Sequence, residues 1–561
     1  MPFVQCSFAS PLQISTAPSF NPMNQQSVPY RRSLGVLVGA IACLLPAMIF
    51  GGELPLREII DREIKAAWAS EKITPPEQSS DSVFLRRVYL DLVGMTPGYE
   101  ETTGFLQDSD PKKRKKLVDK LLADPRYARN RARVWDVSLL GRNPKHVGHH
   151  DNRKHFRRWL ETQFTNNAPY DRFVHKLLAA EEDGSQLYYV VNRGSDNLAT
   201  ATMRLFLGTQ LQCAKCHDHP FESWTQRDYY GMAGFFVRTF VHEGEKKENV
   251  TRWFVGEKST GQVNFTIVPV DAKPGTKGEP VSPKFLGGAD LEEPELPKDF
   301  KEPKVEKKKA PPQPLFSRRE KIVEWITSAN NPYLARAAVN RIWAQFMGRG
   351  LVHPVDDLNE DDQGSHPVLF KEIEKQFVNN KFDTKWLVRE IVNSKAYQVA
   401  DIGTATQAAP KFYERARVRP LSVEELHASL HMATGLGAEA AAKSGPSNDM
   451  LKYLGEPVDG RGTFQGSATE RLFVHNGDVF RNLCHPRNDN LSERLLKSSE
   501  SPEAKVDQMF LSVLSRVPTV EERERFARYL NAEGDDAKQA SQRIEEAMWV
   551  LVSCSEFRFN R

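Results

Sequence analysis

Arg57-Glu-Ile-Ile-Asp-Arg-Glu-Ile-Lys-Ala-Ala-Trp-Ala69 sets Ile59, Ile60, Ile64 and Ala67 three and four residues apart. That spacing puts apolar side chains on one face of a helix. The next apolar stretch repeats it: Ser82 to Val93 carries Val83, Phe84, Val88, Tyr89 and Leu92. Pro97 sits where another helix would begin, and Asp110-Pro111 opens one that runs through Leu117 and Leu121-Leu122. Ala128–Leu140, Phe156–Phe164 and Tyr170–Ala180 continue the series. Helix after helix, joined by short Pro- or Asp-bearing turns, predicts a helical domain over 54–240.

The periodicity changes after Val241. Thr251-Arg-Trp-Phe-Val255 and Val263-Asn-Phe-Thr-Ile-Val268 are rich in β-branched and aromatic residues and predict the two arms of a hairpin within 241–290. Residues 291–316 are mostly Pro, Lys and Glu and read as a solvated linker or surface loop. Helical spacing returns over 317–556, at Ile322–Ile326, Leu334–Phe346, Trp386–Val392, Val423–Met432, Val506–Leu514 and Ile544–Val552. Gly435 to Pro446, rich in small residues, reads as a mobile stretch. The expected fold is mainly α: two helical domains joined by a short β-containing segment and a Pro/Lys/Glu-rich linker.

The 561 residues suit two or three domains, with 40% hydrophobic residues to build cores. Basic and acidic residues number 77 and 73, for a net charge of +4. So even a balance, with no recognisable recognition module, gives no reason to expect a nucleic-acid partner. Leu34 to Phe50 carries no charge and follows Arg31-Arg32, so 1–52 reads as an export signal or membrane anchor. Met23 is a plausible start, which would dispose of Cys6, and Cys43 reads as ordinary signal sequence. The expected location is outside the cytoplasm: periplasmic, at the cell surface or membrane-anchored, with membrane contact only through that segment. Cys213, Cys216, Cys484 and Cys554 then remain, too few for a disulfide scaffold.

Cys213-Ala-Lys-Cys-His217 points most directly at chemistry. Two thiols at this spacing can form thioethers to a haem, and the adjoining histidine can ligate its iron. Three readings stay open. Cys213, Cys216 and His217 carry a c-type haem, with Met203, Met232, His175 or His242 available as a sixth ligand. Alternatively the two cysteines hold zinc, with His219 or Cys484-His485 completing the set. Or they form a disulfide or a buried thiol pair. Weaker constellations are His146, His149, His150 and His155 around Asp151, a possible metal site, and Asp356-Asp357 with Glu360, Asp361 and Asp362, a possible calcium loop. Gly208 and Gly231 stand alone and signify little.

Longer motifs surround the pentad. They are Phe84-Leu-Arg-Arg-Val-Tyr-Leu-Asp-Leu-Val-Gly94, Asn167-Ala-Pro-Tyr-Asp-Arg-Phe-Val174, Gln212-Cys-Ala-Lys-Cys-His-Asp-His-Pro-Phe221 with Trp224 and Asp228-Tyr-Tyr-Gly231, and Val281-Ser-Pro-Lys-Phe-Leu-Gly287. The second half carries Asn331-Pro-Tyr-Leu-Ala-Arg-Ala-Ala-Val-Asn-Arg-Ile-Trp343, Gly348-Arg-Gly-Leu-Val352, His366-Pro367, Ser515-Arg516 and Ser555-Glu-Phe557. With these the chain resembles a family of large exported proteins abundant in planctomycetes. Members have two successive domains of unknown function, often with an added N-terminal cytochrome c module, which is not expected here. The resemblance implies export, mostly helical domains and the Cys-x-x-Cys-His-x-His-Pro stretch. It implies no reaction.

The leading expectation is an exported protein of unknown activity, redox-associated through a c-type haem and working with a redox partner. The alternative is an extracellular protein bound to cell-surface polysaccharide, with the pentad as a metal site or disulfide and Trp224, Tyr229 and Tyr230 available to stack on sugars. A metal-dependent hydrolase using His217, His219 and Asp218 is a variant of the metal reading.

Overall fold

The computed structural model describes residues 54–561 except 143, 145, 221, 266–278, 360–362, 403–407, 455–467 and 532–535. The expected N-terminal export segment, with Cys6 and Cys43, lies outside the described residues, as do Ile267-Val268 and Glu360 to Asp362.

The opening stretch folds as expected. Leu56–Ser70 is a helix whose Leu56, Ile59, Ile60, Ile64 and Trp68 are buried, so Trp68 rather than Ala67 closes the apolar stripe. Burial of each such side chain is worth about 1.5–3 kcal/mol. The stripe packs on helices from the other half of the chain, Pro367–Asn379 and Thr384–Val392, and Arg57 Nη1 pairs with Glu390 Oε1 at 2.8 Å.

Asp81–Val93 is the pivot of the fold. Ser80 caps it by accepting the Val83 N–H, and Gly94 ends it in the left-handed region at φ 71°. Every residue from Phe84 to Val93 is buried, charged ones included. Arg86 donates to the Val513 and Phe557 carbonyls at 3.2 and 2.8 Å. Arg87 donates to the Tyr397, Val399 and Arg561 carbonyls. Asp91 accepts from Tyr397, Arg419 and Asn560. Buried cations persist only when hydrogen-bonded in this way.

This helix faces two apolar cores. One runs from Leu56 to Ala441 and mixes residues from both helical halves; Phe84, Leu85, Val88, Tyr89 and Leu92 belong to it. The other takes Leu90 and gathers residues from Leu421 to Phe557. Apart from Leu90, the second core therefore begins at Leu421, beyond the Pro/Lys/Glu segment, while Ala428 and Ala441 still belong to the first.

The strands form two-stranded antiparallel sheets, and the mainly α expectation holds. The hairpin differs from its expected pairing. β1 (Thr239–Lys247) pairs with β2 (Val250–Glu257), while β3 (Val263–Phe265) pairs with β4 (Glu279–Val281). Thr251–Val255 therefore turns back on the preceding chain. Lys247 opposes Val250, and the two residues between them, Glu248 and Asn249, have φ of 47° and 66°. Positive φ at both positions is what a tight two-residue hairpin turn requires. The short pair β5 (Arg419–Pro420) and β6 (Phe559–Asn560) ties the C-terminus down.

The Pro/Lys/Glu segment is irregular and largely exposed, yet pinned. Glu293 holds Arg318 and Arg238, Glu302 accepts from the Ser259 and Thr260 N–H groups, and the Glu306 carbonyl meets His242 Nε2 at 3.0 Å. Gly435 to Pro446, expected to be mobile, contains the helix Gly437–Ser444 with Ala441 buried. Its alanines favour helix strongly enough to outweigh the flanking glycines.

Candidate functional site

Leu211 and Ala214, buried in the first core, anchor a 3-10 turn, Leu211–Lys215. Cys213, Cys216 and His217 project from it and are exposed, and both cysteines are free thiols.

Gly208, three residues before the turn, ends the helical segment Met203–Leu207 with φ 68°, and a Cβ there would lie 2.5 Å from Leu358 Cδ1. Only glycine permits both the dihedral and the contact. The Leu358 N–H donates to the Gly208 carbonyl, Gln210 Nε2 to Asp356 Oδ1, and Asn359 Nδ2 to Glu222 Oε1, each at 2.8–2.9 Å. The pentad turn is thus clamped to the segment 356–359.

The far side rests on the helix Gln226–Gly234. Its Thr225–Asp228 capping box is reinforced by Lys284 Nζ, 2.8 Å from Asp228 Oδ1. Burial alone would raise the Asp228 carboxyl. The Lys284 ammonium and the Thr225 donors outweigh it and hold the group below the usual carboxylate range. Tyr230 donates to the Lys215 carbonyl at 3.2 Å, and the Gln226 N–H to Asp218 Oδ1 at 2.9 Å. Gly231 lies so close to Lys284 that a Cβ would sit 2.7 Å from the Lys284 Cβ. Gly208 and Gly231, which looked uninformative, are both positions of close approach.

The two histidines of the turn hold opposite tautomers. His217 Nδ1 lies 2.7 Å from the Asp218 carbonyl. A carbonyl only accepts, so the ring proton is on Nδ1 and the Nε2 lone pair is left for a ligand. His219 Nδ1 accepts the Glu222 N–H at 3.1 Å, which puts the proton of its neutral ring on Nε2. His219 would have to break that bond to ligate zinc.

The remaining sequence expectations divide. Cys484 is buried in the second core and His485 pairs with Glu545, so neither joins the pentad. Met203 and Met232 are fully buried in the first core, His242 is engaged by Glu306, and His175 is half-buried on the helix Tyr170–Ala179. Trp224 and Tyr229 are buried and Tyr230 is half-buried, so the aromatics expected to stack on sugars are mostly packing residues. His149 and His150 do gather on Asp151, at 3.0 and 3.1 Å. His155 pairs instead with Asp183, and His146 sits in a turn at φ 67°. Asp356 faces inward to Gln210 and Arg204.

Sequence reasoning missed one cluster. His427-Ala-Ser-Leu-His431 puts two imidazoles one helical turn apart on Val423–Ala433, and both are buried. The i, i+4 spacing was the available signal.

The fold and this turn define a class: a mainly α chain presenting an accessible Cys-x-x-Cys-His segment. Residues 59–240 match the family described as PSCyt2, protein of unknown function (DUF1549), and residues 318–455 match PSD1, protein of unknown function (DUF1553). The chain carries both domains in succession, as a two-domain protein of unknown function. No curated protein and no solved structure matches it.

Proposed function

We propose that this is an exported, redox-associated protein that carries a c-type haem on the pentad turn. Cys213 Sγ and Cys216 Sγ would form the thioethers, and His217 Nε2 would be the axial donor. The observation that carries this reading is the His217–Asp218 bond. Metal-ligating histidines generally fix their tautomer through the other ring nitrogen, and His217 does so before any metal arrives. The accessibility of both thiols fits covalent attachment, which requires a macrocycle to reach them.

Bound there, a haem would supply one-electron exchange at a potential set by axial ligation and solvent exposure. The chain's own part is positional. Leu211 and Ala214 hold the turn, Asp218 orients the imidazole, and the clamp to 356–359 keeps the segment fixed against the first core. The partner in this reading is another redox protein outside the cytoplasm.

Expression in a host that attaches haem c tests it. A reduced-minus-oxidised visible spectrum of the purified protein should show a haem c α-band, and His217→Ala should alter the spectrum while the haem stays covalently bound. A folded protein with no visible absorption overturns the reading.

A further inference from the structure

His427 and His431 project from one face of Val423–Ala433, their ring centroids 4.4 Å apart. Ser444, the last residue of the helix Gly437–Ser444, covers them: its Oγ lies 3.2 Å from His427 Nε2 and 3.4 Å from His431 Nε2. The same Oγ lies 3.0 Å from the Ala440 carbonyl.

These contacts are short of protons. His431 Nδ1 lies 2.9 Å from the His427 carbonyl, so the proton of His431 is on Nδ1 and its Nε2 is a bare lone pair. At most the serine hydroxyl and one His427 proton remain for three contacts at Ser444 Oγ. One contact therefore sets lone pair against lone pair.

We infer that His427 Nε2, His431 Nε2 and Ser444 Oγ form a binding site for a zinc-like divalent metal ion. Metal–ligand bonds of about 2.0–2.1 Å at tetrahedral angles put donor atoms roughly 3.3–3.4 Å apart. The serine–histidine separations already have that edge length. The His431 Nδ1–carbonyl bond is the usual support for a ligating imidazole. His431 lies in the last turn of its helix and Ser444 at the end of the next, so two helix C-termini lend partial negative charge. Ser444 is exposed, which gives an ion a way in and water a place to complete the shell. Arg133, whose charge acts on His427, opposes a cation and limits the affinity.

Zinc titration of the metal-stripped full chain against a chromophoric chelator tests this. His427→Gln and His431→Gln should each weaken one zinc site at least about tenfold. Arg133→Gln and Ser444→Cys should tighten it, and cobalt bound to the Ser444→Cys protein should show a thiolate-to-metal charge-transfer band. Cys213→Ser with Cys216→Ser, and His149→Gln with His150→Gln, should leave that site unchanged. Zinc binding indifferent to both α-helical histidines, or cobalt without the charge-transfer band in folded Ser444→Cys, overturns the inference.

Discussion

The pentad turn and the helix carrying His427 hold similar donor atoms in opposite settings. Cys213, Cys216 and His217 stand exposed on an irregular turn, while His427 and His431 lie buried on a regular helix under one serine. An exposed set can accept a large group that brings its own hydrophobic surface. A buried set whose atoms are already spaced suits a bare ion. In both places one imidazole has its Nδ1 tied to a backbone carbonyl, Asp218 for His217 and His427 for His431. Ring orientation is thus fixed alike, and burial decides what can reach the remaining nitrogen.

The largest effect should come from Cys213→Ser with Cys216→Ser. Covalent haem should vanish by haem staining, yet when both proteins are made without haem their denaturant midpoints should imply a stability difference within about 0.5 kcal/mol, as for other exposed sites. A collapse of stability would mean that the turn is structural. Leu211→Ala, two residues away but buried, should cost about 2–5 kcal/mol in the same denaturation measurement.

Acid should act on the buried pair. An unfolded imidazole takes up its proton near pH 6.5, and folded His427 only near 3, so the unfolded chain binds more protons across that window. The contribution is intact above about pH 6.5 and is lost as pH falls. In metal-stripped protein, His427 alone should cost about 2 kcal/mol between neutrality and pH 5. His427→Gln should flatten that part of the stability–pH curve. The smallest effect lies far from both sites. Replacing Glu248-Asn249 by Asn-Gly should raise stability by about 0.5–1 kcal/mol, since both positions have positive φ.

Helices were legible where local spacing decides them, as in Leu56–Ser70 and Leu334–Met347. β1 was not, because Thr239–Lys247 is mostly charged beyond Val241 and is paired along one edge only, so no alternation marks it. Nor could spacing show that Arg86 and Arg87 would be buried against carbonyls hundreds of residues later. Such partners are set by tertiary packing, which local periodicity does not encode. The pentad was legible as a motif, and its exposure was not. His427 and His431 were legible as a spacing, but a spacing alone cannot distinguish a hydrogen-bonded core pair from ligands short of a proton.

The proposed haem attachment at Cys213 and Cys216 would change the mass of the chain. Intact-mass spectrometry of the chain made alongside haem-attachment machinery, after acid–acetone extraction of loosely held haem, reads that change. The expected result is the polypeptide mass plus one haem, and the bare mass for the double serine variant. A well-folded wild-type protein at its bare polypeptide mass would contradict it.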